Sequence, residues 1–112
     1  MERLKVLQHW MKEKMEECKA AEHQLRADDR QDEAAFRKIR GNVFGIFFAV
    51  ADVAQKQADP VAFFGKKLAE IPASWASALQ KARQFGAAED AAVEEIKLAA
   101  AEEICGKWEV SA

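Results

Sequence analysis

Val43-Phe44-Gly45-Ile46-Phe47-Phe48-Ala49-Val50-Ala51 is the stretch of this chain that decides the fold. The stretch lies inside a predicted helix from about Asp29 to Gln57, and it is apolar on more than one side of that helix. A helix at the surface of a small bundle needs only one apolar stripe to cover the core. We therefore expect this helix to contact several neighbouring helices, or a partner chain in addition to its own fold.

Two apolar faces can be drawn on this helix at about 100° per residue. The first face, predicted to point into the core, consists of Phe36, Ile39, Val43, Ile46, Phe47, Val50, Val53 and Ala54. The second face consists of Phe44, Phe48 and Ala51, with Arg37 and Arg40 near its start. Either the short helices after Pro60 cover the second face, or another chain does. Exposed aromatic patches usually mark binding surfaces, so we predict these last five residues as a candidate interaction surface.

The composition of the 112 residues indicates an all-α protein. Good helix formers dominate, Thr and Tyr are absent, and the chain has only five Gly and two Pro residues. The length fits a single helical domain over residues 1–112, large enough to bury about two thirds of the surface that the unfolded chain exposes. A formal net charge of −2 does not indicate nucleic-acid binding, which usually requires a concentrated basic face.

Helical periodicity and capping signals predict the other segments. The first helix is expected from about Glu2 to Ala27 and the last from about Ala88 to Trp108. Asp29 is predicted to cap the second helix, because acidic residues follow it where the helix dipole favours them. The connection between the first two helices is then very short, so the bundle should be antiparallel.

The third segment has a proline, Pro72, in its middle. Asp59 and Pro60 have the pattern of an N-cap and a first helical residue. We predict that this segment is split at Pro72 and that its second piece ends at Gly86. One continuous helix with a kink at Pro72 is the alternative.

Four carboxylates suggest an enzyme as a competing hypothesis. Glu13 with Glu16 and Asp29 with Asp32 have the spacing with which all-α nucleotide pyrophosphohydrolases hold Mg²⁺ against a phosphate chain. Such a site needs the acids to face one another across the bundle interior. Asp29 and Asp32 are better explained as residues of a helix start, so we predict no metal site.

The remaining reactive side chains have simpler interpretations. His9 and His23 lie on polar faces, and Cys18 lies on a core stripe where it should act as a small buried apolar residue. Cys105 lacks a neighbour that would lower its pKa. We predict no catalytic residue and no cofactor. Two cysteines, no secretory signal and no apolar run long enough to span a bilayer predict a cytoplasmic protein without membrane contact.

The segments Asp28-Asp29-Arg30-Gln31-Asp32-Glu33-Ala34-Ala35-Phe36 and Ile71-Pro72-Ala73-Ser74-Trp75 resemble a family of small bacterial all-helical proteins without assigned function. This resemblance implies a free-standing small protein and assigns no activity, cofactor or catalytic residue.

The function that we predict from the sequence is protein–protein association. A homodimer formed through the second helix, or a complex with another protein, would use the candidate surface at Arg37, Arg40, Phe44, Phe48 and Ala51. The alternative is the Mg²⁺-dependent pyrophosphohydrolase-like enzyme.

Overall fold

Four α-helices make up the fold, as seen in a computed structural model that describes residues 2–111. The helices are α1 (Glu2–Ala27), α2 (Gln31–Ala54), α3 (Pro60–Gln84) and α4 (Ala88–Val110). No strand occurs among the described residues, so the predicted all-α antiparallel bundle is confirmed. The bounds of α1 match the prediction, whereas α2 is shorter at both ends than the predicted helix.

The turn between α1 and α2 ends the first helix instead of capping the second. Asp29 has a φ of 59°. The Asp29 N–H donates to the Arg26 carbonyl and the Arg30 N–H donates to the Leu25 carbonyl, at 3.1 and 2.8 Å. This pair of bonds is the Schellman motif of a helix C-terminus, in which a left-handed residue follows the last turn. The predicted N-cap role of Asp29 is therefore wrong: Arg30 precedes α2 and makes no side-chain cap.

The turn between α3 and α4 repeats the same motif with glycine. Gly86 has a φ of 65°, its N–H donates to the Arg83 carbonyl, and the Ala87 N–H donates to the Ala82 carbonyl. Glycine adopts this left-handed conformation without steric cost, which explains why the helix stops there as predicted. At the other end of α3, the predicted cap is confirmed, because the Asp59 carboxylate accepts from the Ala62 N–H at 3.2 Å.

Pro72 lies inside α3 and does not split it. The helix is continuous from Pro60 to Gln84, so the predicted break is wrong and the alternative of one helix holds. Proline removes one backbone N–H and crowds the preceding turn, a cost that packing on both sides of the proline can offset. Ile71 and Trp75, on either side of Pro72, both pack against the main core.

Helix α2 is the centre of the bundle and touches the three other helices. Two helical hairpins, α1–α2 and α3–α4, stack so that the shortest dimension of the molecule is 22 Å, the thickness of about two helices. The largest fully buried side chains between them are Phe44, Phe47, Phe64, Leu4, Leu7, Met11, Ile104 and Val43. A smaller cluster of Leu79, Ala82 and Ala91 lies between α3 and α4 alone.

Candidate interaction surface

The buried face of α2 differs from the one that the sequence predicts. Phe44, Phe47 and Ala51 are fully buried. By contrast, Ile46 and Val53 of the first predicted face are 41% and 48% exposed. At about 100° per residue, the core face is rotated by roughly a quarter turn toward the second predicted face. The assignment of Phe36, Ile46 and Val53 to the core is therefore wrong.

The predicted surface at Phe44, Phe48 and Ala51 is covered within the chain. The Trp10 ring meets the Phe44 ring edge to face, with centroids 5.6 Å apart. Ala51 has no exposed area, and Phe48 is half-buried against the main core. A contact with another molecule cannot run through Phe44 and Ala51 in this fold, so that prediction is wrong for them. The alternative, burial inside the protein, describes these residues.

Arg40 also has its partner inside the fold. Its guanidinium forms an ion pair with the Glu103 carboxylate of α4, and it lies 5.1 Å from the centroid of the Phe44 ring. The hydrogen bonds from Arg40 hold the pKa of Glu103 below its ordinary value. Arg40 therefore ties α2 to α4, whereas Arg37 stays exposed beside the groove between α1 and α2.

Two glycines of α2 explain the rotation of its buried face. A Cβ added to Gly41 would lie 3.1 Å from the Cβ of Cys18, and one added to Gly45 would lie 3.5 Å from the Met15 methyl carbon. Helix α1 thus packs directly against the backbone of α2 on its glycine side. Phe44 and Phe48 lie next to this contact between α1 and α2, so their side chains point toward the interior of the bundle. The spacing Gly41-x-x-x-Gly45 was the sequence signal for this arrangement, and periodicity alone missed it.

The outer face of α2, as we define it, runs along the helix on the side away from α1. Its central residue, Ile46, is 41% exposed, and Val53 near the helix end is 48% exposed. Phe36, 38% exposed, and the half-buried Val50 border the same face. The residues that make up the outer face are Ala35, Ile39, Asn42, Ile46, Ala49 and Val53, of which only Ile39 is half-buried.

The exposed faces of the other helices have a different chemistry. On α1 they are rich in Lys, Glu and His, with Val6 as the one large apolar residue that is exposed. On α4 the exposed positions include Glu89, Glu95, Glu102 and Glu109, and on α3 they are mostly Ala, Ser, Gln and Lys. Helix α2 is therefore the one described helix with three exposed large apolar side chains, Ile46 and Val53 on the outer face and Phe36 at its border, whereas α1 and α4 expose one each, Val6 and Val110.

A partly buried polar network fixes α1 against the C-terminal half of α2. The Gln8 side-chain amide donates to an Asp52 carboxylate oxygen at 2.7 Å and to the Phe48 carbonyl at 3.2 Å. The Gln55 amide donates to the Gln8 carbonyl oxygen at 2.6 Å. These bonds satisfy Gln8, which is buried, and they fix the rotation of α2 about its axis.

Cys18 forms part of the floor of an open groove of about 430 Å³ between α1 and α2. Lys12, Lys19, Arg37 and Lys38 also line this groove. Burial raises the pKa of the Cys18 thiol although Arg40 and Arg37 lie near it. Burial also raises the pKa of Cys105. At neutral pH both thiols are protonated, the form that is a poor nucleophile.

The four carboxylates of the enzyme hypothesis are spread over α1 and the turn after it. Glu13 and Glu16 are exposed in the middle of α1, while Asp29 lies in the turn, about 20 Å further along the axis at 1.5 Å per residue. Within residues 2–111, no group of three or more His, Cys, Asp and Glu side chains is placed to hold a metal ion. The geometry therefore gives no support to a site that joins Glu13 and Glu16 with Asp29 and Asp32.

A comparison of the chain with protein-family models, curated proteins and solved structures finds no match. The resemblance to small bacterial helical proteins accordingly stays a prediction. None of the described helices is both long enough and apolar enough to span a bilayer.

Proposed function

We propose that this protein functions through protein–protein association, and that chains associate with one another through the outer face of α2. The observation that carries this proposal is the largely apolar outer face of the central helix, in which Asn42 is the one polar residue and Ile46 and Val53 are both more than two-fifths exposed. A second helix laid along this face would remove these side chains from water, which is the main source of association energy between helices.

The size of the face supports a helix as the binding partner. From Ala35 to Val53 the outer face spans 19 residues, or about 27 Å for the 18 rises of 1.5 Å between them. The outer face is thus long and narrow, like the seam between two packed helices. A small molecule would instead need a concave pocket. Cys18 and Cys105 are free thiols in the fold, which fits our further proposal of a reducing, cytoplasmic location.

The experiment that tests this function measures the mass of the protein in solution. Light scattering over a wide concentration range is expected to give twice the chain mass of 12.5 kDa for the wild type. Val53→Glu should return the mass to that of one chain, because a carboxylate on the outer face would have to be buried in the pair. Val6 provides a matched control, since it is also a valine in a helix and is 46% exposed.

Val6→Glu should therefore leave the mass of the wild type unchanged. Circular dichroism of both variants should show the same helix content as the wild type, because neither valine belongs to the core. A wild type that has the mass of one chain at the highest concentration would overturn the proposal. Equal effects of Val53→Glu and Val6→Glu would overturn it as well, since association would then not depend on α2.

A further inference from the structure

Small and large side chains alternate along the outer face of α2. Their spacing is four, three, four, three and four residues, which is the average of 3.5 that keeps a seam facing a partner helix. One heptad position holds small or slender residues and the other holds β-branched residues. The first position is occupied by Ala35, Asn42 and Ala49, and the second by Ile39, Ile46 and Val53.

This alternation fits a second copy of the same helix that runs in the opposite direction. We propose that two chains pair through α2 in an antiparallel arrangement, with the two-fold axis at the level of Phe44; this inference rests on the function proposed above. Ala35 then lies opposite the partner's Val53, and Ile39 opposite the partner's Ala49. In the central layer, Asn42 lies opposite the partner's Ile46. Each layer thus combines a smaller with a larger side chain, and the two-fold axis repeats every layer once.

A parallel pair would lack this complementarity. Each residue would then oppose its own copy, so that Ala49 would meet Ala49 and leave a gap, while Ile46 would meet Ile46. Two Asn42 side chains would also face each other in the middle of the seam. The alternation of sizes therefore favours the antiparallel pair.

The charges at the ends of the seam agree with the same register. Asp32, in the first turn of α2, lies opposite the partner's Lys56, in the turn after α2. Both side chains are exposed and neither has an ion-pair partner among the salt bridges of the described residues. In a parallel pair Asp32 would face Asp32, and Lys56 would face Lys56. Opposite charges across a contact select the register and direction of pairing more than they add affinity.

The two edges of the seam are complementary as well. On one edge the exposed Lys38 comes next to the partner's Asp52, and the two-fold axis repeats this pair. The exposed Asp52 carboxylate already accepts from Gln8 in its own chain, and its remaining acceptor positions are the ones that a lysine can use. On the other edge Phe36, 38% exposed, comes next to the half-buried Val50 of the partner. One register thus accounts for the apolar residues, the small residues and the charges of this surface at once.

Single-cysteine variants test the direction and register of the pair. The background carries Cys18→Ala and Cys105→Ala, and its helix content and mass are measured first. Ala35→Cys and Val53→Cys are then made separately and oxidised, alone and as a mixture. The expected result is a disulfide-linked dimer in the mixture and little in either variant alone, because a disulfide requires Cα atoms within about 7 Å.

Exchange of the end charges gives a second test that leaves both native cysteines in place. Asp32→Lys and Lys56→Asp should each raise the dissociation constant of the dimer by about three- to tenfold, since each puts two like-charged pairs at the contact. The double variant should return toward the wild-type value. This test does not depend on whether the cysteine-free background folds.

The outcomes separate the inference from the function on which it rests. Cross-linking of Ala35→Cys with itself would show a parallel pair and overturn the inference. A wild-type dimer that Val53→Glu dissociates, but without cross-links in the mixture or rescue in the charge exchange, would overturn the register and leave the function standing. A monomeric wild type would overturn both.

Discussion

Phe64 and Trp75 of α3 place their ring centroids 6.3 and 6.2 Å from that of Phe47, whereas Leu79, further along the same helix, packs mainly among alanines. The two ends of α3 thus pack into regions that are built from different side chains. The aromatic core, as we call it, contains Phe44, Phe47, Phe64 and Trp108 and receives residues from all four helices. The hairpin tip consists of Leu79, Ala82 and Ala91, with Ala87 and Leu98 packed around them.

The difference between the two regions lies in how much apolar surface each helix removes from water. An aromatic side chain buries about 150–250 Å² and gains further from edge-to-face contacts, such as that of Phe64 with Trp108 at 4.9 Å. An alanine contributes a single methyl group. Local stability is therefore expected to be high in the aromatic core and lower at the hairpin tip, where Phe85 is 80% exposed.

Phe47→Ala is expected to have the largest effect on stability. The ring is fully buried between α2 and α3, and its removal leaves a cavity that rigid neighbours cannot fill. We expect the free energy of unfolding to fall by about 3–5 kcal/mol, a large part of the total for a small domain. Urea unfolding followed by circular dichroism measures this loss.

Leu79→Ala is the matched change at the hairpin tip. Leu79 is 9% exposed, and its neighbours are small enough to close in, so the loss should be at the low end of about 2–5 kcal/mol. Equal losses for Phe47→Ala and Leu79→Ala would mean that the two regions are packed equally well. A loss below about 1 kcal/mol for Phe47→Ala would show that its ring is not in the core.

The helices themselves could be predicted from the sequence, because their signals are local. Asp59 followed by Pro60 marked the start of α3, and Gly86 marked its end. The continuity of α3 through Pro72 could not be predicted in this way. It depends on the packing of Ile71 and Trp75 against the main core, and no local signal contains that information.

The face of α2 that points inward was harder to predict than the helix. An apolar residue is compatible with the core and with the surface. Hydrophobicity alone therefore could not show which of Ile46 and Phe44 is buried. The deciding contacts are those of Gly41 and Gly45 with α1, which join residues more than twenty positions apart in the chain. The sequence accordingly assigned surface exposure to Phe44 and Ala51, which the fold buries, and core positions to Ile46 and Val53, which stay exposed.

The two Schellman turns allow a comparison of the hairpin tip with the turn between α1 and α2. Gly86→Ala should cost about 1 kcal/mol, because an L-residue with a Cβ is strained in the left-handed region. Asp29→Gly should instead stabilise the protein by up to about 1 kcal/mol, since it removes that strain. Thermal unfolding of both variants measures these shifts. A destabilised Asp29→Gly variant would show that the aspartate makes up for its strain through other contacts.

The smallest expected effect concerns the ion pair that joins α2 to α4 beside the aromatic core. Arg40 lowers the pKa of Glu103, so this carboxylate stabilises the fold above the unfolded-state pKa of about 4.3. The contribution is lost as the pH falls through the lower folded-state pKa. Glu103→Gln should therefore cost up to about 1 kcal/mol near neutral pH, because the carboxylate is partly exposed.

The same variant should be nearly as stable as the wild type at a pH below the lowered folded-state pKa of Glu103, because this carboxyl group is then protonated in both the folded and the unfolded state. Urea unfolding at neutral and acidic pH gives the two differences. Glu95→Gln is the matched control at the hairpin tip, where the Arg83–Glu95 pair is 63% and 53% exposed. Water screens this pair more strongly, so its loss should cost less than the loss of Glu103. If the stability lost in Glu103→Gln became larger as the pH fell, the ion pair would not be a stabilising interaction. Apolar contacts alone would then join α2 to α4.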